Sequence, residues 1–199
     1  MSSTRQHVLI LKLFGPFKLF GNTDRLLFDA DISYKSGIYL WTIRYKNGYL
    51  IDYIGETGNT FRQRMKEHLI EILGGNYRIC DPDMLLQGKE EIIWNGLWRK
   101  GTRDRIGEFI KNYKSYAPII KRYIEIHDIF LAPLTVDRRK RQLIEGNIAK
   151  IIKEQKPPIS NLLPADIRYV YNRKDSEEGF IVKIECNENI FGLPKTLRI

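Results

Sequence analysis

Two runs rich in aromatic and β-branched residues, "GIYLWTIRY" (37–45) and "YLIDYIG" (49–55), are joined by Lys46-Asn47-Gly48. Runs of this kind on either side of an Asn-Gly step favour a β-hairpin, because branched and aromatic side chains suit a pleated, half-buried surface. The register of this hairpin decides which side chains share a face. A two-residue Asn47-Gly48 turn pairs Lys46 with Tyr49 and puts Tyr39 and Tyr53 on opposite faces. A three-residue loop with Gly48 in the left-handed conformation pairs Tyr45 with Tyr49 instead. Tyr39, Trp41, Ile51 and Tyr53 then share one face, since side chains alternate with period two. The second register is the expectation.

A helix follows the hairpin. Asn59 or Thr60 can cap it, with Thr60 and Gln63 in capping-box spacing. Phe61, Arg64, Met65, His68, Leu69 and Ile72 recur at helical intervals, and Gly74-Gly75 ends the run. Arg64 and His68 lie one turn apart on one face. Arg62 points roughly 160° away from Arg64, because successive residues turn about 100°. Residues 76–122 are long for a connection and contain Pro82, Gly88, Gly96, Gly101 and Gly107. They read as an insertion with one helix, about Asp104 to Lys114. A third buried strand is expected around Tyr123 to Leu131. A helix over "DRRKRQLIEGNIAKIIKEQ" follows, with Leu143, Ile144, Ile148, Ile151 and Ile152 as its apolar stripe, stopping before Pro157-Pro158. The apolar stretch Val8 to Phe20 suggests a hairpin or strand pair turning at Gly15-Pro16. In the tail, "IRYVYN" and "EGFIVKIEC" read as strands about an acidic turn.

No apolar run approaches the roughly 20 residues that span a bilayer. The N-terminal candidate is broken by Lys12, Gly15, Pro16 and Lys18 and lacks a signal-peptide cleavage site. A cytoplasmic protein with no membrane partner is expected. Cys80 and Cys186 are the only cysteines and belong to no CxxC or CxxH pair, so they suggest neither a disulfide framework nor zinc. The net charge of +9 points to a polyanionic partner. The excess is local. Between Trp98 and Arg122, eight basic residues oppose Asp104 and Glu108; between Asp137 and Lys153, six oppose Asp137 and Glu145.

"GIY" at 37–39, "YIG" at 53–55 and the following "ETGNTFRQRMKEH" together resemble the start of a GIY-YIG nuclease domain. The resemblance covers about residues 37–161, interrupted by the insertion. It implies an α/β (α+β) fold: a small central antiparallel β-sheet of three or more strands flanked by helices, with the insertion at about 76–122 and extra C-terminal strands. The whole chain then forms one domain with a core at about 33–165, and 1–32 and 166–199 are peripheral extensions. The resemblance also implies hydrolysis of a phosphodiester with one divalent metal. Carried over residue by residue, it assigns Tyr39 as general base, Tyr53 as its positioning or relay partner and Arg64 as the clamp on phosphoryl oxygens. His68 becomes a hydrogen-bond partner of phosphate or phenol, Glu145 the ligand of Mg²⁺ (or Mn²⁺ in its place), and Asn161 a phosphate or supporting ligand.

The residue types suit that chemistry. A phenol with an ordinary pKa near 10 is a poor base at neutral pH, so cations must favour its anion. Arginine is planar and permanently charged, which fits an oxyanion that grows in the transition state. One carboxylate cannot fill a Mg²⁺ shell, which keeps several waters and takes substrate oxygens. The competing reading of Glu145 is a solvated helix acid paired with Arg141. Asp52, Glu56 and Glu67 are rival carboxylates, of which Asp52 alternates away from Tyr53. Arg62 is expected to meet solvent or a backbone phosphate. Arg99, Lys100, Arg103 and Arg105 form the candidate nucleic-acid contact of the insertion, beside Trp94 and Trp98, which are either core anchors or stacking platforms. The expectation is a metal-dependent DNA endonuclease of restriction or defence type, dimeric on DNA. A nucleic-acid-binding protein of the same fold without cleavage, and a nuclease acting on RNA or branched DNA, remain open.

Overall fold

The structure is a computed structural model that describes residues 7–98, 101, 103–165 and 167–199. Its centre is an antiparallel four-stranded sheet of β2 (Phe14–Phe17), β3 (Gly37–Tyr45), β4 (Gly48–Thr57) and β7 (His127–Pro133), in the order β2-β7-β3-β4. A mixed sheet joins β1 (His7–Lys12), β8 (Phe180–Glu185) and β9 (Thr196–Arg198), with β1 and β8 parallel and β8 and β9 antiparallel. β5 (Ile79–Cys80) and β6 (Ile92–Trp94) form a short ribbon. Among the described residues, four α-helices complete the α+β architecture: α1 (Phe61–Leu73), α2 (Pro82–Leu86), α3 (Ile106–Ile126) and α4 (Arg138–Lys153). Among the described residues, no helix is long and apolar enough to cross a membrane.

Both faces of the central sheet are covered, which is why its strands read as nearly continuous apolar runs. Ile38, Leu40, Ile51, Ile54, Phe130 and Ala132 face α4 and the mixed sheet, in a core that includes Leu143, Ile144, Ile148 and Ile152. Tyr39, Trp41, Ile43, Leu50, Ile129 and Leu131 face the other way, toward Phe61, Met65 and Ile72 of α1 and Ile120 and Tyr123 of α3. Each fully buried Leu, Ile or Phe contributes about 1.5–3 kcal/mol. The terminal segments are part of this core, because Leu11, Phe180, Val182 and Leu197 are all buried in it.

The hairpin reaches the expected facing of the two tyrosines by another route. The turn is the two-residue Lys46-Asn47, with Lys46 at φ 48° and Tyr45 paired with Gly48. That register alone would place Tyr39 and Tyr53 on opposite faces. A β-bulge corrects it: Thr42 pairs with Ile51 but Trp41 pairs with Tyr53, so Asp52 is the extra residue. Beyond the bulge Tyr53 lies on the face of Tyr39 and Trp41.

Three further expectations are corrected. Gly15-Pro16 is no turn: it lies inside β2, an edge strand where proline is tolerated. The chain leaves β8 only after Leu13, whose N–H donates to the Glu185 carbonyl, and then joins the other sheet. Residues 123–126, expected to open a strand, end a helix that runs through Pro118. Ile120, Tyr123 and Ile124 are buried at helical spacing, and their packing outweighs the local cost of the proline. "IRYVYN" forms no strand, because its carbonyls bond to α4 instead of a neighbouring strand. Asn147 Nδ2 donates to Tyr171 O at 2.9 Å and Arg139 to Asn172 O at 2.9 Å.

Candidate active site

β4 is an edge strand of the central sheet, so α1 on one face and α4 on the other can both reach round its end. Thr60 caps α1 by accepting from the Gln63 N–H, and Asp137 caps α4 by accepting from the Lys140 N–H. The caps set where each helix starts and therefore which turn meets the strand.

Tyr39 Oη lies 2.8 Å from His68 Nε2 and accepts from Arg64 Nε at 3.1 Å. The Tyr39 and Tyr53 ring centroids are 6.1 Å apart, and His68 stands edge-on to both. Gly55 makes this possible: a Cβ there would sit 2.3 Å from the Tyr39 hydroxyl, so the ring crosses β4 where no other residue leaves room. Tyr77, just beyond α1, brings a third phenol within reach of Arg64 and stands 5.7 Å from His68.

Glu145 approaches from α4. Its carboxylate accepts from the Glu56 N–H and is close enough to Tyr53 and Arg64 to interact with both. Its pairing with Arg141 does not occur. Arg141 Nε instead donates to Glu56 at 2.8 Å, and Arg138 adds a second contact to Glu56 at 3.6 Å. The rival carboxylate is thus neutralised, whereas no cation lies within ion-pair distance of Glu145 among the described residues. Arg64, Arg138 and Arg141 line a hollow of about 410 Å³ together with Glu56.

Burial dominates the electrostatics. It raises the Tyr39 pKa well above the ordinary value, Tyr53 adds to the rise, and Arg64 only partly opposes it. The phenol is therefore neutral in the free protein. Burial, then the Arg64 charge, pulls His68 down to about 3, so the imidazole is neutral as well. Burial works against the charge on Arg64, but the Tyr39 phenol and the Glu67 carboxylate at 2.8 Å outweigh it. Burial and then the nearby Glu56 push Glu145 up to about 7. A half-buried carboxylate lacking a cation has the chemistry to take a divalent ion. No cluster of three or more His, Cys, Asp or Glu able to hold a metal occurs among the described residues, so Glu145, water and phosphate oxygens would form the shell.

Tyr39, Tyr53, Arg64, His68 and Glu145 therefore come together; Asn161 does not. It is exposed, its amide donates to Gly88 O at 3.3 Å, and it lines neither hollow at the site. Arg62 is not free for phosphate either: its guanidinium lies over Phe28 and Tyr34 and donates to the Phe28 carbonyl. Arg99 and Lys100 lie outside the described residues, as does the side chain of Arg103. Arg105 is held by Glu108 at 2.5 Å and lies over Trp94. The tryptophans divide, with Trp94 buried and donating to Gly75 O while Trp98 is 60% exposed.

Asp52 also departs from expectation. As the bulged residue it is buried, accepts from His127 Nε2 at 3.0 Å and Tyr123 at 3.3 Å, and lines a cavity together with Tyr53. Trp41 lines the same cavity, and its buried indole N–H has no partner among the described residues. Arg138 and Arg141 belong to the basic run between Asp137 and Lys153, but their place beside Glu56 has no mark in the sequence, and nothing local marks Tyr77.

Compared with protein-family models, curated proteins and solved structures, the chain finds no match among any of them.

Proposed function

We propose that the protein is a divalent-metal-dependent endonuclease of the GIY-YIG type that hydrolyses phosphodiester bonds in DNA. The observation that carries this reading is the meeting of Tyr39, Tyr53, Arg64, His68 and Glu145 at one strand end, beside a hollow lined by Arg138 and Arg141.

The phosphodiester lies against Arg64, whose charge steadies the oxygens as negative charge builds on them. Water attacks phosphorus, and its proton passes to the Tyr39 oxygen. Because that phenol starts neutral, it passes its own proton to His68 Nε2, 2.8 Å away, as the water proton arrives. Burial and the Arg64 charge keep the imidazole from holding that proton, which goes on to the departing oxygen as the P–O bond breaks. Tyr39 thus works as a relay and never needs to be a stored phenolate, which burial disfavours. Tyr53 holds the relay in line. Mg²⁺, or Mn²⁺ in its place, bound at Glu145 would supply positive charge to the phosphate and the leaving oxygen. One such centre cuts one strand, so breaking a duplex calls for a homodimer or two successive events.

The test is plasmid incubated with Mg²⁺ or Mn²⁺ and either the protein or its Glu145→Ala variant. The proposal expects nicked or linear DNA from the former alone. Tight DNA binding by both with cutting by neither would replace it with a binding protein of the same fold. Competing RNA and branched-DNA substrates at matched salt separate the substrate classes, because phosphate contacts alone do not.

A further inference from the structure

Next to the proposed cleavage centre lies a cavity of about 490 Å³, lined by Asp52, Tyr53, Tyr77, Arg78, Glu90 and Trp98. Its size falls within the roughly 300–1,000 Å³ of small-molecule sites. Tyr53 and His68 belong both to its wall and to the phenol–imidazole cluster, so an occupant sits beside the reacting groups.

The wall does not suit a phosphate. Arg78 is paired with Glu90 and donates to Leu162 O at 3.1 Å, and Asp52 adds a second carboxylate. It does suit a flat, neutral ring. Tyr77 and Trp98 stand edge-to-face with centroids 5.5 Å apart, and Trp98 keeps most of its surface open. Asp52 supplies a directional acceptor. Its Oδ2 is used by His127 and Tyr123, which leaves Oδ1 for an incoming N–H.

We propose that this cavity takes one nucleobase carrying an exocyclic amine, drawn out of the stack beside the scissile phosphate. Its ring stacks on the open face of Trp98 with Tyr77 at its edge, and its amine donates to Asp52. The inference rests on the nuclease reading, and it gives the cleft a preference for adenine, cytosine or guanine over thymine and uracil, which lack that amine and present their one ring N–H between two carbonyl oxygens that repel a carboxylate. Removing one stacking ring should weaken binding roughly 5- to 150-fold.

The chain has three tryptophans, so its ¹H–¹⁵N spectrum carries three indole N–H peaks. Titration of the full chain without metal uses dAMP, dCMP, dGMP and dTMP, with inorganic phosphate as control. The expected result is movement of the Trp41 and Trp98 peaks, a still Trp94 peak, and binding of dTMP about fivefold weaker or less. Trp98→Ala removes an exposed ring, identifies its peak and should weaken the nucleotides by the stated factor. No movement of Trp41 or Trp98, equal response to all four nucleotides, an equal response to phosphate alone, or unchanged affinity in Trp98→Ala overturns the proposal. Since no cutting is read, an inactive protein can still pass and an active nuclease can still fail.

Discussion

Replacing Glu145 with Gln should make the protein more stable at pH 8 and leave its stability unchanged at pH 4. Burial and Glu56 hold the folded carboxyl near 7 against an ordinary 4.5. Below about pH 4.5 the group is protonated in both folded and unfolded chains and contributes no difference from Gln. As pH rises toward 7 the unfolded chain ionises first, so folding loses free energy; above 7 the loss is complete. The gap corresponds to about 3 kcal/mol, and solvent screening at a half-buried carboxylate trims it toward 2. Gln keeps the shape and can still accept from the Glu56 N–H without the charge. For a chain of this length, about 2–3 kcal/mol is a melting-temperature difference of roughly 4–12 °C. Thermal melts of both proteins at half-unit steps from pH 4.5 to 8.5 read it directly. Mg²⁺ at ten times its Kd should return about 1.4 kcal/mol to the wild-type protein at pH 8 and nothing to the variant. A Gln variant no more stable at pH 8, or a difference that stays open as pH falls, would refute the account of Glu145.

Tyr39→Phe should lower cleavage by about 10²–10⁴-fold, the usual worth of a positioned proton-transfer group. It should also cost about 1–3 kcal/mol of stability, because buried His68 Nε2 loses its partner; urea titration checks the second part. Deleting Asp52 removes the bulge but leaves Tyr53 opposite Trp41 in regular register, so Tyr53 should keep the face of Tyr39. The lost acceptor of His127 and Tyr123 should lower the urea midpoint by about 1–3 kcal/mol while circular dichroism still reports the sheet. Gly146→Ala would place a Cβ 2.0 Å from the Val170 carbonyl, pushing residues 167–172 off α4. A lower urea midpoint, by about 1–3 kcal/mol, is the expected result, and an unchanged midpoint would show that this segment is free to move.

The sequence was most legible where structure is local. The ends of α1 followed from Thr60, Gln63 and Gly74-Gly75, and the shared face of Arg64 and His68 followed from helical spacing alone. α4 was equally readable from its apolar stripe and from Pro157-Pro158 beyond it. The expected strand around Tyr123 to Leu131 was right only from His127 onward, because whether residues 123–126 form helix or strand depends on what they pack against. Asn161 and Arg62 misled for a related reason: a polar residue near a motif has no visible partner until Gly88, Phe28 and Tyr34 are placed beside it.

The chain by itself therefore determined which residue types are available to the site, and on which helical turn Arg64, His68 and Glu145 sit. Tertiary structure decided whether they converge. Asp52 bulging out instead of pairing with Trp41 set the facing of Tyr53, and period-two alternation makes every strand face depend on such a choice. The pairing of Arg141 with Glu56 left Glu145 without an ion-pair partner among the described residues. Burial then kept Tyr39 and His68 neutral and held Glu145 near 7, because the cost of a charge depends on the atoms folded around it, which no stretch of sequence carries.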